Sequence, residues 1–395
     1  MDPSTLPPGI ARQFQIYSQG LAGTLPTVPL DPVQLDWQAK NKLKPEAYDY
    51  VAGGAANEVT IATNRAAFDC WRIVPRMLRD VTRRSLKTKL LGQHLSAPVL
   101  TAPIGVLGIV HPDGEVAAAK AAASLGLTFI LSSASSKPME EVAAAVGDAP
   151  RWFQLYWSKE PEIAQSFVER AERSGYSAIV VTLDTMMLGW RHRDLDRAYL
   201  PFLRGDGVAN YFTDPAFNRK LGQPIAADPQ AAIRYFLSIF GHVGYTWNDL
   251  SFLRRHTRLP ILVKGVLHKE DARLAVEHGV DGIIVSNHGG RQVDGSIAAL
   301  EALPKVVEMV NGRVPVLFDS GIRTGADAIK ALALGAKAVL YGRPWVYGLG
   351  LAGEAGAREV LANFLADLDV TLGLAGHVSP DDLNSADLVH ECKLR

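Results

Sequence analysis

LPILVKGV (residues 259–266), GIIVSNH (282–288), VPVLFDS (314–320) and AVLYGR (338–343) are four short apolar runs rich in β-branched residues. HKEDARLAVEHGV (268–280), IAALEALPKVVEMVNG (297–312) and TGADAIKALALGA (324–336) stand between them, amphipathic stretches that lead through glycine into the next run. A continuous apolar run marks a strand buried on both faces, and amphipathic helices between such strands make them parallel. The same pattern extends upstream through APVLTAPI (97–104), LTFILSS (127–133), RWFQLYW (151–157) and SAIVVTLD (177–184), giving eight runs. Eight parallel strands alternating with helices close most simply into a (β/α)8 TIM barrel of the α/β class. An open doubly wound sheet would want a glycine fingerprint after its first strand, and APIGVLGIVHPDG has no proper G-x-G-x-x-G.

Start-to-start spacings are 30, 24, 26, 82, 23, 32 and 24 residues. The long step between the fourth and fifth runs carries an insertion over roughly 190–250, with WRHRDLD, PFLRG, NYFTDPAF, a helix expected over 228–240 and GHVGYTWNDL. It leaves the rim where such barrels carry their active sites, so it reads as a lid. Upstream, the Pro-rich residues 1–33 read as an arm without strong periodicity, and 34–52 as a helix ending at Gly53–Gly54. The chain is thus expected to be one domain: arm and helical cap over 1–96, barrel over 97–375 with the 190–250 lid, and a tail over 376–395.

The composition excludes several classes of function. The chain is 48% hydrophobic and 21% charged, with 41 basic and 41 acidic residues and a net charge of zero, so no global field draws it to nucleic acid or an anionic membrane. MDPSTLPPGIARQFQIY lacks a signal-peptide pattern, no stretch reaches the roughly 18 apolar residues of a membrane span, and CKLR is not a peroxisomal SKL ending. Two distant cysteines, Cys70 and Cys392, argue against a disulfide framework or a Cys-based metal site. A cytoplasmic location without a metal follows as the expectation.

Polar residues gather at strand ends: Gln154 and Tyr156, Thr182 and Asp184, Lys264, then Ser286, Asn287 and His288, and Asp319, with Arg343 after the last run. Such groups converge on the C-terminal rim. DSGIRTGADA and YGRP combine glycines with Arg323 and Arg343 ahead of helices, the usual phosphate-binding place of such a barrel. In SNHGGR, His288 and Arg291 lie three apart, so a base and a carboxylate-binding fork can serve one substrate, with Asp184 available to orient the imidazole. Lys264, leaving an apolar run, either snorkels to the rim or pairs with negative charge on a ligand.

YDYVAGGA, APIGVLGIVHPDGE, FQLYW, TLDT, VKGV, SNHGGRQ, DSGIRTGADAIKALALGA and YGRP together resemble the FMN-dependent 2-hydroxy acid oxidase family from about Tyr48 to Arg343. WRHRDLD, PFLRG and NYFTDPAF are more similar to its lactate 2-monooxygenase branch than to glycolate oxidase. The resemblance implies His288 as base, Asp184 as its partner, and Arg191 and Arg291 as clamp on the substrate carboxylate, with Tyr50 and Tyr156 bonding near it. It implies FMN, with Lys264 at the edge of the ring and Pro103, Ile104, Gly105, Ser132, Gln154, Thr182 and Ser286 against it. Asp319 would meet the ribityl chain, and Gly321, Arg323, Gly342 and Arg343 the phosphate. Gly105 stands where glycolate oxidase has alanine, and its missing methyl would leave room on the ring face that meets oxygen.

The activity so implied is oxidation of a small L-2-hydroxy acid, L-lactate foremost, with O2 as acceptor. The monooxygenase outcome is acetate, CO2 and water, and the alternative is pyruvate with hydrogen peroxide. A homo-oligomer, tetramer or octamer, belongs to the same resemblance. An FMN isomerase or nucleotide dehydrogenase would not need two clamping arginines, a non-catalytic flavin-binding protein would lack a base or clamp residue, and an electron-transfer dehydrogenase would bring a haem domain or membrane segment.

Overall fold

The computed structural model describes residues 6–391. Strands form where the apolar runs stand: β1 (Val99–Thr101), β2 (Phe129–Ser132), β3 (Arg151–Leu155), β4 (Ile179–Thr182), β5 (Ile261–Val266), β6 (Gly282–Val285), β7 (Val316–Phe318) and β8 (Ala338–Tyr341). All eight are parallel and pair as β1-β8-β7-β6-β5-β4-β3-β2. A bridge from Leu100 to Thr128 joins the two edges, so the sheet forms a nearly closed TIM barrel. Alternation explains why the runs are apolar throughout. Leu100, Ile130, Trp152, Val180, Leu262, Ile284, Leu317 and Leu340 fill the interior, while Phe129, Phe153, Val181, Val263, Val285 and Phe318 pack outward on the helices.

Three features differ from the sequence reading. The arm contains a helix, Pro8–Leu21, started by a proline that needs no N–H partner and held where the Asp369 carboxylate accepts the Gly9 N–H at 2.9 Å. The helix expected over 34–52 is two, Pro32–Lys42 and Pro45–Ala52, because Pro45 cannot continue the ladder and the preceding Leu43 and Lys44 turn extended. Two short pairings escaped notice: a hairpin of Thr88–Leu90 with Gln93–Leu95, whose Leu90 and Leu95 join the barrel's inner core, and Trp71–Ile73 against Leu388–His390. Each strand is three residues long, too short for alternation to register.

The insertion contains the helices His192–Asp196, Ala209–Phe212, Pro215–Leu221 and Pro229–Ile239, the last close to the expected 228–240. Asp214 and Asp228 cap two of them with side-chain oxygens on backbone N–H groups. It is anchored to the barrel. Buried Asn210 accepts the Met139 N–H at 2.8 Å and donates to the Ser133 carbonyl at 3.2 Å, and Arg170 pairs with Asp214 and Glu140, each at 2.9 Å. Phe202, Tyr211, Phe217 and Phe236 bury their rings there.

Cys70 is not a free thiol, and Cys392, with the rest of CKLR, lies outside the described residues. No described helix is long and apolar enough to cross a membrane. No group of His, Cys, Asp and Glu among the described residues could hold a metal ion.

Candidate active site

Beyond β6 the chain makes a strained turn, with His288 at φ 57° and Gly289 at φ 63°, both left-handed. Histidine rarely adopts this conformation, so neighbours must hold it. Ser286 Oγ accepts the His288 N–H at 3.0 Å, and Ser320 Oγ accepts those of Asn287 and Gly289 at 3.2 and 3.1 Å. The amides of Asn287 and Asn64 bond each other reciprocally at 2.7 and 2.8 Å. The turn aims the imidazole at β4: Nδ1 lies 2.8 Å from Asp184 Oδ1 and 3.2 Å from Thr185 Oγ1. With the Nδ1 proton donated to Asp184, Nε2 carries the free lone pair, 3.5 Å from the Tyr156 hydroxyl. Gly265, at φ 106°, is obligatory behind this pair, since a Cβ there would stand 2.7 Å from the Asp184 side chain.

Burial pushes His288 below its ordinary 6.5; Asp184 pulls it back up, while Lys264 and Arg191 add to the depression. For Asp184, burial works against ionisation, but the charge of His288 and its hydrogen bond, with Lys264, hold the carboxyl below its usual range. The resulting pair is a neutral imidazole on an ionised carboxylate, the state a general base requires at neutral pH.

Two guanidiniums face the same cavity. Arg191, 7% exposed, donates to the Arg291 carbonyl at 3.2 Å and to Gln292 Oε1 at 3.0 Å. Arg291 donates to the carbonyls of Tyr50 and Gly53 at 2.5 and 2.8 Å and lies over the Tyr50 ring at 5.0 Å. Burial, then the charge of Arg191, depresses the Arg291 guanidinium to about 9. At the other end, beyond β7 and β8, Arg343 donates to the carbonyls of Val51, Gly53 and Gly289 at 2.9–3.0 Å, and burial depresses it to about 10. Arg323 donates to the carbonyl of Ile322. Among the described residues, no carboxylate pairs with Arg291, Arg323 or Arg343.

One cavity joins these parts. Its lining carries Arg191, Arg291, Arg323, Arg343 and Lys264 against a single carboxylate, Asp319. Even with Asp184 behind His288, three positive charges are left without a partner. FMN, with a phosphate dianion, and one substrate carboxylate would supply three negative charges, so the residues present fit both groups.

Pro103, Ile104, Gly105, Lys264, Asp319, Gly321, Arg323, Gly342 and Arg343 all line the cavity, as do Tyr50, Tyr156, Arg191, His288 and Arg291. Ser132, Gln154, Thr182 and Ser286 do not line it. They are fully buried, the first three joined in a chain: Ser132 Oγ to Gln154 Oε1 at 2.8 Å, then Gln154 Nε2 to Thr182 Oγ1 at 2.9 Å. Lys264, buried at the cavity wall, pairs with Asp319 at 3.0 Å and donates to Ser286 Oγ at 2.7 Å. Gly105 lines the cavity and also lies against backbone. A Cβ there would meet the Ala134 carbonyl oxygen at 2.5 Å, the same oxygen that accepts the Val106 N–H at 2.8 Å, so glycine permits two backbones to approach.

Sequence reasoning missed the apolar wall of Leu188, Phe202 and Phe240, in which the Phe202 and Phe240 rings lie tilted with centroids 5.3 Å apart. It missed Ser320 and Asn64, which hold the His288 turn. PFLRG was visible as part of the insertion, but nothing in it signals which ring turns inward. Gln292 was visible within SNHGGRQ without a role.

The chain matches the family described as FMN-dependent dehydrogenase over residues 39–390. It is 45% identical over 376 residues to an FMN-dependent alpha-hydroxy acid dehydrogenase of Penicillium citrinum, covering 94% of each protein. To an L-lactate oxidase of Lysinibacillus sphaericus it is 44% identical, covering 91% of this chain and 93% of the relative. A crystal structure of mandelate oxidase with benzoyl-formic acid superposes with a TM-score of 0.80 at 36% identity, covering 92% of this chain and 98% of the other.

Proposed function

Because the chain belongs to the family of FMN-dependent dehydrogenases, we propose that it oxidises a small L-2-hydroxy acid, L-lactate foremost, and delivers the electrons to O2. The observation that carries this reading is one cavity lined by an Asp184-oriented imidazole, the guanidiniums of Arg191 and Arg291, and a cationic far end. A 2-hydroxy acid has an unreactive α-hydrogen, so its oxidation needs a base, a fixed carboxylate and an electron sink. FMN, when bound, is the two-electron sink. Arg191 and Arg291 bind and orient the substrate carboxylate, Tyr50 and Tyr156 lie within its reach, and His288 Nε2 takes the substrate proton. Asp184 holds the imidazolium that results. Gly321, Arg323, Gly342 and Arg343 would hold the phosphate, and Pro103 to Gly105 the ring.

For the products, the reading is the lactate 2-monooxygenase outcome: pyruvate and peroxide kept together react to acetate, CO2 and water. Its support is the anchored insertion, whose Phe202 and Phe240 cover the cavity. A peroxide-releasing oxidase is the second reading, favoured by the similarity to a protein named L-lactate oxidase. Acetate and peroxide are to be quantified per lactate consumed, without catalase, with glycolate and mandelate compared as substrates. Stoichiometric peroxide with pyruvate as the sole organic product would leave 2-hydroxy acid oxidation standing and defeat the monooxygenase outcome.

A further inference from the structure

Gln292 spends its whole side-chain amide on one segment. Its Nε2 donates to the carbonyls of Asp184 and Met187 at 2.6 and 2.9 Å. Its Oε1 accepts the Gly189 N–H at 3.2 Å and Arg191 Nη2 at 3.0 Å. Residues 183–191 form no helix or strand, and Met186, Met187, Leu188 and Trp190 lie exposed at 44, 61, 42 and 70%. The segment therefore owes its position to a few anchors. One is Gln292; another is Gly189, where a Cβ would run into the Arg291 carbonyl oxygen, so the two backbones lie directly on each other. Both ends of the segment carry chemistry, Asp184 behind the base and Arg191 on the clamp, while Gln292 itself follows Arg291 and lies on the loop that His288 begins.

We infer that Gln292 is a positioning residue that sets the carboxylate clamp and the base's partner at a fixed distance from each other. Gln292 is not among the residues that line the cavity. Its amide accepts a hydrogen bond from the Arg191 guanidinium, which also pairs more loosely with Asp194 at 3.9 Å, and ties the main chain of Asp184 to the loop bearing His288 and Arg291. This rests on the clamp reading of Arg191 and Arg291. The amide is suited to the task because it donates to two carbonyls on one side and accepts from two N–H donors on the other, a pattern neither carboxylate nor ammonium can copy.

The test uses FMN-loaded protein, with oxalate as a dicarboxylate probe read by the change in the bound flavin spectrum. Gln292→Met keeps the length of the side chain and removes its bonds. It should retain FMN yet bind oxalate about 10- to 100-fold more weakly, the loss of a hydrogen bond to a charged group. KM should rise more than kcat falls, and chymotrypsin should cut within 186–190 faster. Gly189→Ala lifts the same segment by a different contact and should give the same pattern, which guards against a folding defect particular to Gln292→Met. Arg191→Met reports on the clamp itself. Weaker oxalate binding in Arg191→Met but wild-type affinity in Gln292→Met would overturn the positioning role alone. Wild-type affinity in both would overturn the clamp and the inference with it.

Discussion

At the residue scale the chemistry turns on one imidazole held in a backbone conformation that histidine seldom takes. Removing it should leave FMN in place and slow anaerobic flavin reduction by lactate by about 10²- to 10⁴-fold, the usual cost of losing a general base. Near-normal reduction in His288→Ala would reassign the base. The same residue sets the pH dependence. The neutral form is the active one and its titration is displaced below 6.5, so kcat/KM should stay flat through neutrality and fall only under acid conditions below that value; a fall beginning above pH 7 would contradict the geometry. Gly105 makes the third case. Because its Cβ would run into the Ala134 carbonyl, Gly105→Ala should lower thermal stability and FMN affinity together. Unchanged affinity and stability, with altered oxygen reactivity only, would restore the reading in which the missing methyl leaves room.

At the scale of elements, the insertion after β4 combines two roles: its short helices pack into the body of the protein, while Phe202 and Phe240 reach the cavity. Asn210 is one of its attachments, fully buried and bonded to both ends of the connection between β2 and the helix that follows it. Asn210→Ala leaves those backbone groups unpaired and should cost about 1–3 kcal/mol of stability. If the insertion retains pyruvate, the variant should also shift product from acetate toward pyruvate and peroxide. Lower stability with an unchanged product ratio would show that retention does not depend on this element.

For the whole molecule, zero net charge conceals a strongly cationic cavity. Burying Arg291 and Arg343 without carboxylate partners costs stability, and an anion that binds only the folded state returns it. Thermal unfolding of FMN-free protein should therefore rise with added FMN, by about 2.7 kcal/mol at a hundredfold excess over Kd, and to a smaller extent with inorganic phosphate. Arg343→Ala should abolish the phosphate effect. A variant that still responds to phosphate as the wild type does would relocate the phosphate site.

What the amino-acid sequence determines here is local and periodic. Eight apolar runs, each flanked by an amphipathic helix, dictate the barrel because their burial pattern admits few other arrangements, and most of the polar residues at the strand ends reach the rim because a strand carries its end there. That is why His288, Asp184, Arg291 and the glycine–arginine loops were legible without coordinates, whereas Arg191, inside the insertion, was implied only by the family resemblance. The short hairpin under the barrel, the break at Pro45 within an expected single helix and the helix in the N-terminal arm were weak or hidden signals, decided by packing against distant elements. The site has the same division. That Lys264 takes Asp319 as its partner, that a Cβ at Gly105 would meet the Ala134 carbonyl, that Ser132, Gln154 and Thr182 bond one another away from the cavity lining, and that Gln292 holds the segment of Asp184 and Arg191 all depend on atoms brought together from separate strands and loops. Only the closed barrel settles such contacts, because hydrogen bonds and steric limits act over a few ångströms in space and leave no periodicity along the chain.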